Sequence, residues 1–148
     1  MAETLGSLCD KLTIVKLKQY HSNDPEQLES LSGQEKQLQD EINEYIQAAL
    51  SGQIAIERLT FAPNKVYKKE GNNVPEVKGN IGEVFARLAE VNCLLWHEQE
   101  KVYEFEKVPN EEKNVVVKNL AALNLERNKC IHEIDKQFQK MLLNLKAS

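Results

Sequence analysis

Residues 80–110 read NIGEVFARLAEVNCLLWHEQEKVYEFEKVPN, and the spacing of the apolar residues in this stretch decides the fold. Ile81, Val84, Leu88, Val91, Leu95, Val102 and Phe105 recur at steps of three, four and seven. That spacing lines one face of an α-helix and fits no strand. The missing beat in the stripe carries a charge, Glu98. Asn80 with Glu83 three residues later forms a capping box that starts the helix. Val108-Pro109-Asn110 is turn chemistry that ends it.

Working outward, a fourth helix follows the turn. Its stripe is Val116, Leu120, Leu123, Cys130, Ile134, Met141 and Leu145, again broken once, by Arg127. Upstream, Asp24-Pro25-Glu26 supplies a cap, a proline at the first helical position and an acid in the first turn. The second helix then carries Leu28, Leu31, Leu38, Ile42, Tyr45 and Ala49 and stops near Gly52. A first helix starts near Thr4 or Ser7 and runs to about His21, with Ser7 and Asp10 read as its capping box. The short links at 22–24 and 108–110 make helices 1–2 and 3–4 antiparallel neighbours.

The expected fold is therefore all-α: one domain over residues 1–148, a four-helix bundle made of two antiparallel hairpins. A long connection at about 53–79 lacks a clean period and contains Ala62-Pro63-Asn64 and Gly71-Asn72-Asn73. A connection of that length in a small domain is either functional or ordered by docking on the bundle. Shifting helix 2 by 92 residues lays Leu28, Leu31, Glu41 and Ile42 on Leu120, Leu123, Glu133 and Ile134, which suggests a duplicated hairpin.

Composition narrows the function. Aromatics are 6% of the chain and Gly plus Pro number ten, too few for a turn-rich β fold. A net charge of −4 argues against nucleic acid as the default partner. No apolar run reaches the length of a membrane span, and Met1-Ala2-Glu3-Thr4 lacks the basic start of a secretory signal. Cys9, Cys93 and Cys130, odd in number and each within an apolar helical pattern, are expected as reduced, buried, inert thiols of a cytoplasmic protein.

Polar residues where apolar ones belong mark the candidate site. Glu35 falls on Arg127 under the 92-residue shift, so an interhelical pair of Arg127 with Glu35 or Glu98 is one expectation; snorkelling at the edge of the seam is the other. In a hairpin turning near Pro109, Asn92 and Arg127 lie at similar depth. Asp10, Lys18, Asn92, Trp96, His97, Asn124, Arg127 and Asn128 then form either a polar layer that sets helix register or a ligand site. A di-metal bundle would need Glu-x-x-His on two helices. His97 and Glu100 stand in the reverse order, and His132 has no such glutamate, so no metal or other cofactor is expected. No Walker loop, Gly-x-Ser-x-Gly or dinucleotide fingerprint occurs. Charge is uneven: residues 24–50 hold seven acids and one lysine, whereas Arg58, Lys65, Lys68, Lys69 and Lys78 surround Tyr67.

Two stretches carry a resemblance. Leu94-Leu95-Trp96-His97-Glu98-Gln99-Glu100-Lys101, with Leu123-Asn124-Leu125-Glu126-Arg127-Asn128 and Ile131-His132-Glu133-Ile134-Asp135, resembles an uncharacterised bacterial domain-of-unknown-function family. Its members show Leu-Trp-His-x-Glu-Asp and Leu-Asn-x-x-Arg-Asn motifs. Gly6-Ser7-Leu8-Cys9-Asp10-Lys11-Leu12-Thr13-Ile14 resembles a related small family. The resemblance implies a helical bacterial protein, often encoded near glycosyltransferase and surface-polysaccharide genes, and brings no catalytic residues. Here Gln99-Glu100 stands where the family has Glu-Asp.

Two functional classes fit these features. The first is a non-enzymatic interaction or assembly module that forms a homo-oligomer or docks on a partner protein. It draws on helix 1, where Ile14 and Leu17 lie away from the main stripe of Leu5, Leu8, Cys9, Leu12 and Val15. The alternative is a binder or enzyme for a small molecule or nucleotide sugar, with the polar layer as its site.

Overall fold

The first three helices begin where a side chain takes up amide groups that lack an intrahelical partner. In the computed structural model, which describes residues 3–61 and 76–147, α1 spans Leu5–His21, α2 Pro25–Ser51, α3 Ile81–Tyr103 and α4 Asn110–Ala147. Among the described residues there is no strand. Thr4 caps α1: its Oγ1 accepts the Ser7 amide at 3.2 Å, and Ser7 Oγ accepts the Thr4 amide at 2.9 Å. The box expected from Ser7 and Asp10 is therefore corrected. The helix starts earlier, which places Asp10 in its second turn, and its side chain is buried.

The other caps form as the sequence predicts. Asp24 accepts the Glu26 amide at 3.2 Å ahead of Pro25, and α2 ends on Gly52 in the left-handed region at φ 83°. Asn80 and Glu83 form the reciprocal box of α3. That helix ends sooner than expected. Glu104 leaves helical geometry (φ −121°, ψ 41°), so Phe105 lies in a 3₁₀ turn over 105–107, with Lys113 Nζ 5.1 Å from its ring centre.

The two hairpins are antiparallel, and α1 joins them. It packs on α2 within its own hairpin and also on both α3 and α4. Gly6 meets Ile131 and Asp135, and Asp10 meets Arg127, so α1 runs opposite to α4. Thr13 meets Asn92 and His21 meets Trp96, so α1 runs parallel to α3. This central position accounts for the second apolar face of α1, with Ile14 and Leu17 half-buried.

The core is a continuous cluster of Leu5 and Cys9 from α1, Ala49 from α2, Val84 and Leu88 from α3, and Cys130, Ile134, Phe138 and Leu142 from α4. Each fully buried Leu or Ile contributes on the order of 1.5–3 kcal/mol. The start of the long connection also docks here. Leu59 is fully buried behind a 3₁₀ turn at Ile56–Arg58, and Gln139 Nε2 donates to the Ile56 carbonyl at 2.8 Å. The basic group around Tyr67 (Lys65, Lys68 and Lys69) lies outside the described residues. An offset of 92 residues carries α2 onto α4, but it carries α1 onto 97–113, across the end of α3 and the turn. The hairpins do not repeat as units at that offset.

One residue sets how closely α1 and α4 approach. A Cβ on Gly6 would collide with the Ile131 carbonyl oxygen and lie 2.9 Å from Asp135 Oδ1. Gly33, by contrast, has nothing near its Cβ position. Gly6→Ala is expected to destabilise the protein by about 1–3 kcal/mol through overpacking. Gly33→Ala is expected to stabilise it by about 0.4–1 kcal/mol. Urea denaturation of the two variants checks the opposite signs.

Candidate functional site

Asp10 reaches the interior because α1 crosses α3 and α4 at its second turn. Its carboxylate is held on both oxygens: Arg127 Nε donates to Oδ1 at 2.8 Å and Nη2 donates to Oδ2 at 2.5 Å. Asn92 Nδ2 donates to Asp10 Oδ1 at 3.0 Å and to Thr13 Oγ1 at 2.7 Å. Thr13 in turn donates to the Asp10 backbone carbonyl at 2.7 Å. The Asp10 side chain is 5% exposed and that of Arg127 30%. The paired carboxylate holds the Arg127 pKa above its ordinary value, outweighing the effect of burial. Three helices thus meet at one bidentate ion pair with an amide and a hydroxyl closing the ring of hydrogen bonds.

Of the eight residues expected at the site, the structure brings together Asp10, Asn92 and Arg127. Both expected partners of Arg127 are corrected. Glu35 faces Lys16 and Gln19 across the first hairpin, and Glu98 accepts from Lys101 one turn along its own helix at 2.9 Å. Lys18, Asn124 and Asn128 are exposed and take no part in the layer. Trp96 and His97 form a separate group. The imidazole of His21, the last residue of α1, stacks on Trp96 at 4.7 Å and 8°, with the His97 ring edge-on at 6.4 Å.

Sequence reasoning missed Thr13, His21 and a second interhelical pair. Arg87 on α3 grips the buried Glu126 of α4 through Nε and Nη2, the latter at 2.8 Å. Helical spacing offered a signal for Thr13, which lies three residues beyond Asp10 on the same face. For Glu126, next to a seam arginine, the pattern carried no such mark.

Asp135 serves the fold. Its Oδ1 accepts the Gly6 amide at 2.6 Å, at the start of α1 where free amides and the helix dipole favour an anion. Burial nonetheless raises its pKa, against the hydrogen bonds from Thr4 and Gly6. The cysteines divide. Burial pushes the Cys9 and Cys130 thiols up to about 11, which makes them poor nucleophiles. Cys93, expected to be buried, is exposed.

Cys93 lines the open feature beside this network, a groove of about 600 Å³ between α1 and α3. Thr13, Lys16, Leu17, Tyr20 and His21 form one wall, and Ala89, Cys93 and His97 form the other. Among the described residues, no group of three or more His, Cys, Asp or Glu is placed to hold a metal ion. No helix among them is long and apolar enough to cross a membrane.

Two expectations follow from this geometry. Arg127→Met strands a buried carboxylate and should cost about 2–4 kcal/mol, after discounting for the part of the guanidinium that water screens. In the double mutant with Asp10→Leu, the loss should be well below the sum of the single losses, whereas Arg127→Met with Glu35→Met should be additive. The second concerns Asp135. Its folded pKa exceeds the ordinary value of 3.8, so the folded state holds the proton more tightly and ionisation costs stability as pH rises through that window. Asp135→Asn should therefore gain stability over the natural protein at neutral pH, and the gain should vanish below about pH 3.8. Denaturant midpoints across pH measure both.

No protein-family profile, curated protein or solved structure matches the chain.

Proposed function

We propose that this protein is a non-enzymatic helical interaction module whose binding face is the α1–α3 groove. One observation carries the reading: the side chains best suited to hold a small molecule are spent on one another. Both Asp10 oxygens, the Asn92 amide and the Thr13 hydroxyl are engaged within the protein. A ligand in their place would have to break a bidentate ion pair, which costs more than a typical new hydrogen bond returns.

The groove beside them is of the opposite kind. Leu17, Ala89 and Cys93 give it an apolar lining, and its walls are two helices running in the same direction. That is the form of site into which an amphipathic helix lays its apolar face.

The link to surface-polysaccharide synthesis rests on the motif resemblance alone, and a ligand screen tests it together with the alternative class. In thermal-shift measurements with nucleotide sugars, sugar phosphates and divalent metals, no compound is expected to raise the midpoint. A ligand at 100 times its dissociation constant would add about 2.7 kcal/mol, or roughly 5–10 °C for a domain of this size. A shift of that order, abolished by Arg127→Met, would overturn the interaction reading in favour of a small-molecule site.

A further inference from the structure

The groove has a companion feature within the same patch. Tyr20 borders it, yet the tyrosine is 84% exposed: its ring stands beside the groove instead of filling it. An apolar ring left in water forgoes part of the roughly 1.5–3 kcal/mol that burial of such a side chain supplies. A projecting ring and a receiving groove on one surface are what a two-fold interface requires, because there one patch must be complementary to itself.

The charges have the same property. The α1 wall carries Lys16 and no acid, while helical spacing from Cys93 and His97 puts Glu90 and Glu100, against one base, Lys101, on the exposed side of the α3 wall. A two-fold axis running along the groove lays α1 of each chain over α3 of the other at the same height. Thr13 is level with Asn92, and His21 with Trp96 and His97. Lys16 therefore comes within a turn of the other chain's Glu90, and Tyr20 within a turn of its Glu100. Lys16 and Glu90 are engaged at the monomer surface with Glu35 and Arg87. Exposed pairs of this kind contribute only about 0–1 kcal/mol, so exchanging them across an interface costs little.

From the projecting Tyr20 beside an apolar groove whose two walls carry opposite charge, we infer that a second copy of this chain occupies the α1–α3 groove, as an isologous dimer. This rests on the groove being the binding face and names its occupant.

The test is sedimentation equilibrium of the full chain from about 1 to about 200 µM, the range that resolves micromolar dimers. The natural protein should be dimeric at the upper end. Tyr20→Ser and Cys93→Arg alter exposed side chains, so both variants should keep the natural helical circular dichroism while weakening the dimer at least about tenfold. Val115→Glu, at an exposed position outside the groove, should leave it unchanged. A monomer at all concentrations overturns the inference. So does a dimer that survives both groove variants, because its interface lies elsewhere. Neither result touches the interaction reading, which the ligand screen decides separately.

Discussion

The bidentate contact between Asp10 and Arg127 is the constraint on which the arrangement of helices depends. A carboxylate buried at 5% exposure is tolerable only with its charge matched and its lone pairs filled, and Arg127 and Asn92 do both. The requirement fixes more than distance. A slip of α1 by one residue moves a side chain by about 1.5 Å along the axis and about 100° around it, which would take the carboxylate away from both partners. The pair thus locks the rotation and height of a helix that touches all three others. Gly6 supplies the second condition by letting the start of α1 come against the backbone of α4, where Asp135 accepts its amide.

From that anchor the rest of the architecture follows. α2 reaches the core through the short turn after His21 and contributes mainly its far end, around Ala49 and Tyr45, whose ring lies 6.4 Å from Phe138. α3 and α4 pack on each other along their stripes and are pinned by Arg87 and Glu126. Because α1 and α3 run parallel with α4 behind them, their outer faces leave a trench. The open groove is a consequence of the same packing that closes the polar network.

Much of this was legible from local pattern. The three- and four-residue spacing placed every helix, and Asp24-Pro25 and Asn80-Glu83 marked two starts because caps are built from neighbouring residues. Asn92 and Arg127 were found together because hairpin geometry equates depth along two adjacent helices. The partner of Arg127 was not legible. Asp10 belongs to the other hairpin, 117 residues away, and its seam was obscured by a local reading of Ser7 and Asp10 as a cap. The opposite charges of Glu35 and Arg127 pointed to a pairing, but Glu35 is engaged by Lys16 and Gln19 within its own hairpin. Exposure of Cys93 was likewise beyond the pattern, since it depends on how α1 sits across α3.

α1 is integral to a single cooperative core and is not a strap laid over a separate α3–α4 hairpin. Cysteine labelling in increasing urea reads this directly, because Cys9 lies on α1, Cys130 on α4, and Cys93 is exposed. Cys93 should react without denaturant, while Cys9 and Cys130 should stay protected and become reactive together, through one global transition. Labelling of Cys9 at urea concentrations that leave Cys130 protected would show α1 leaving by itself, and would contradict the account.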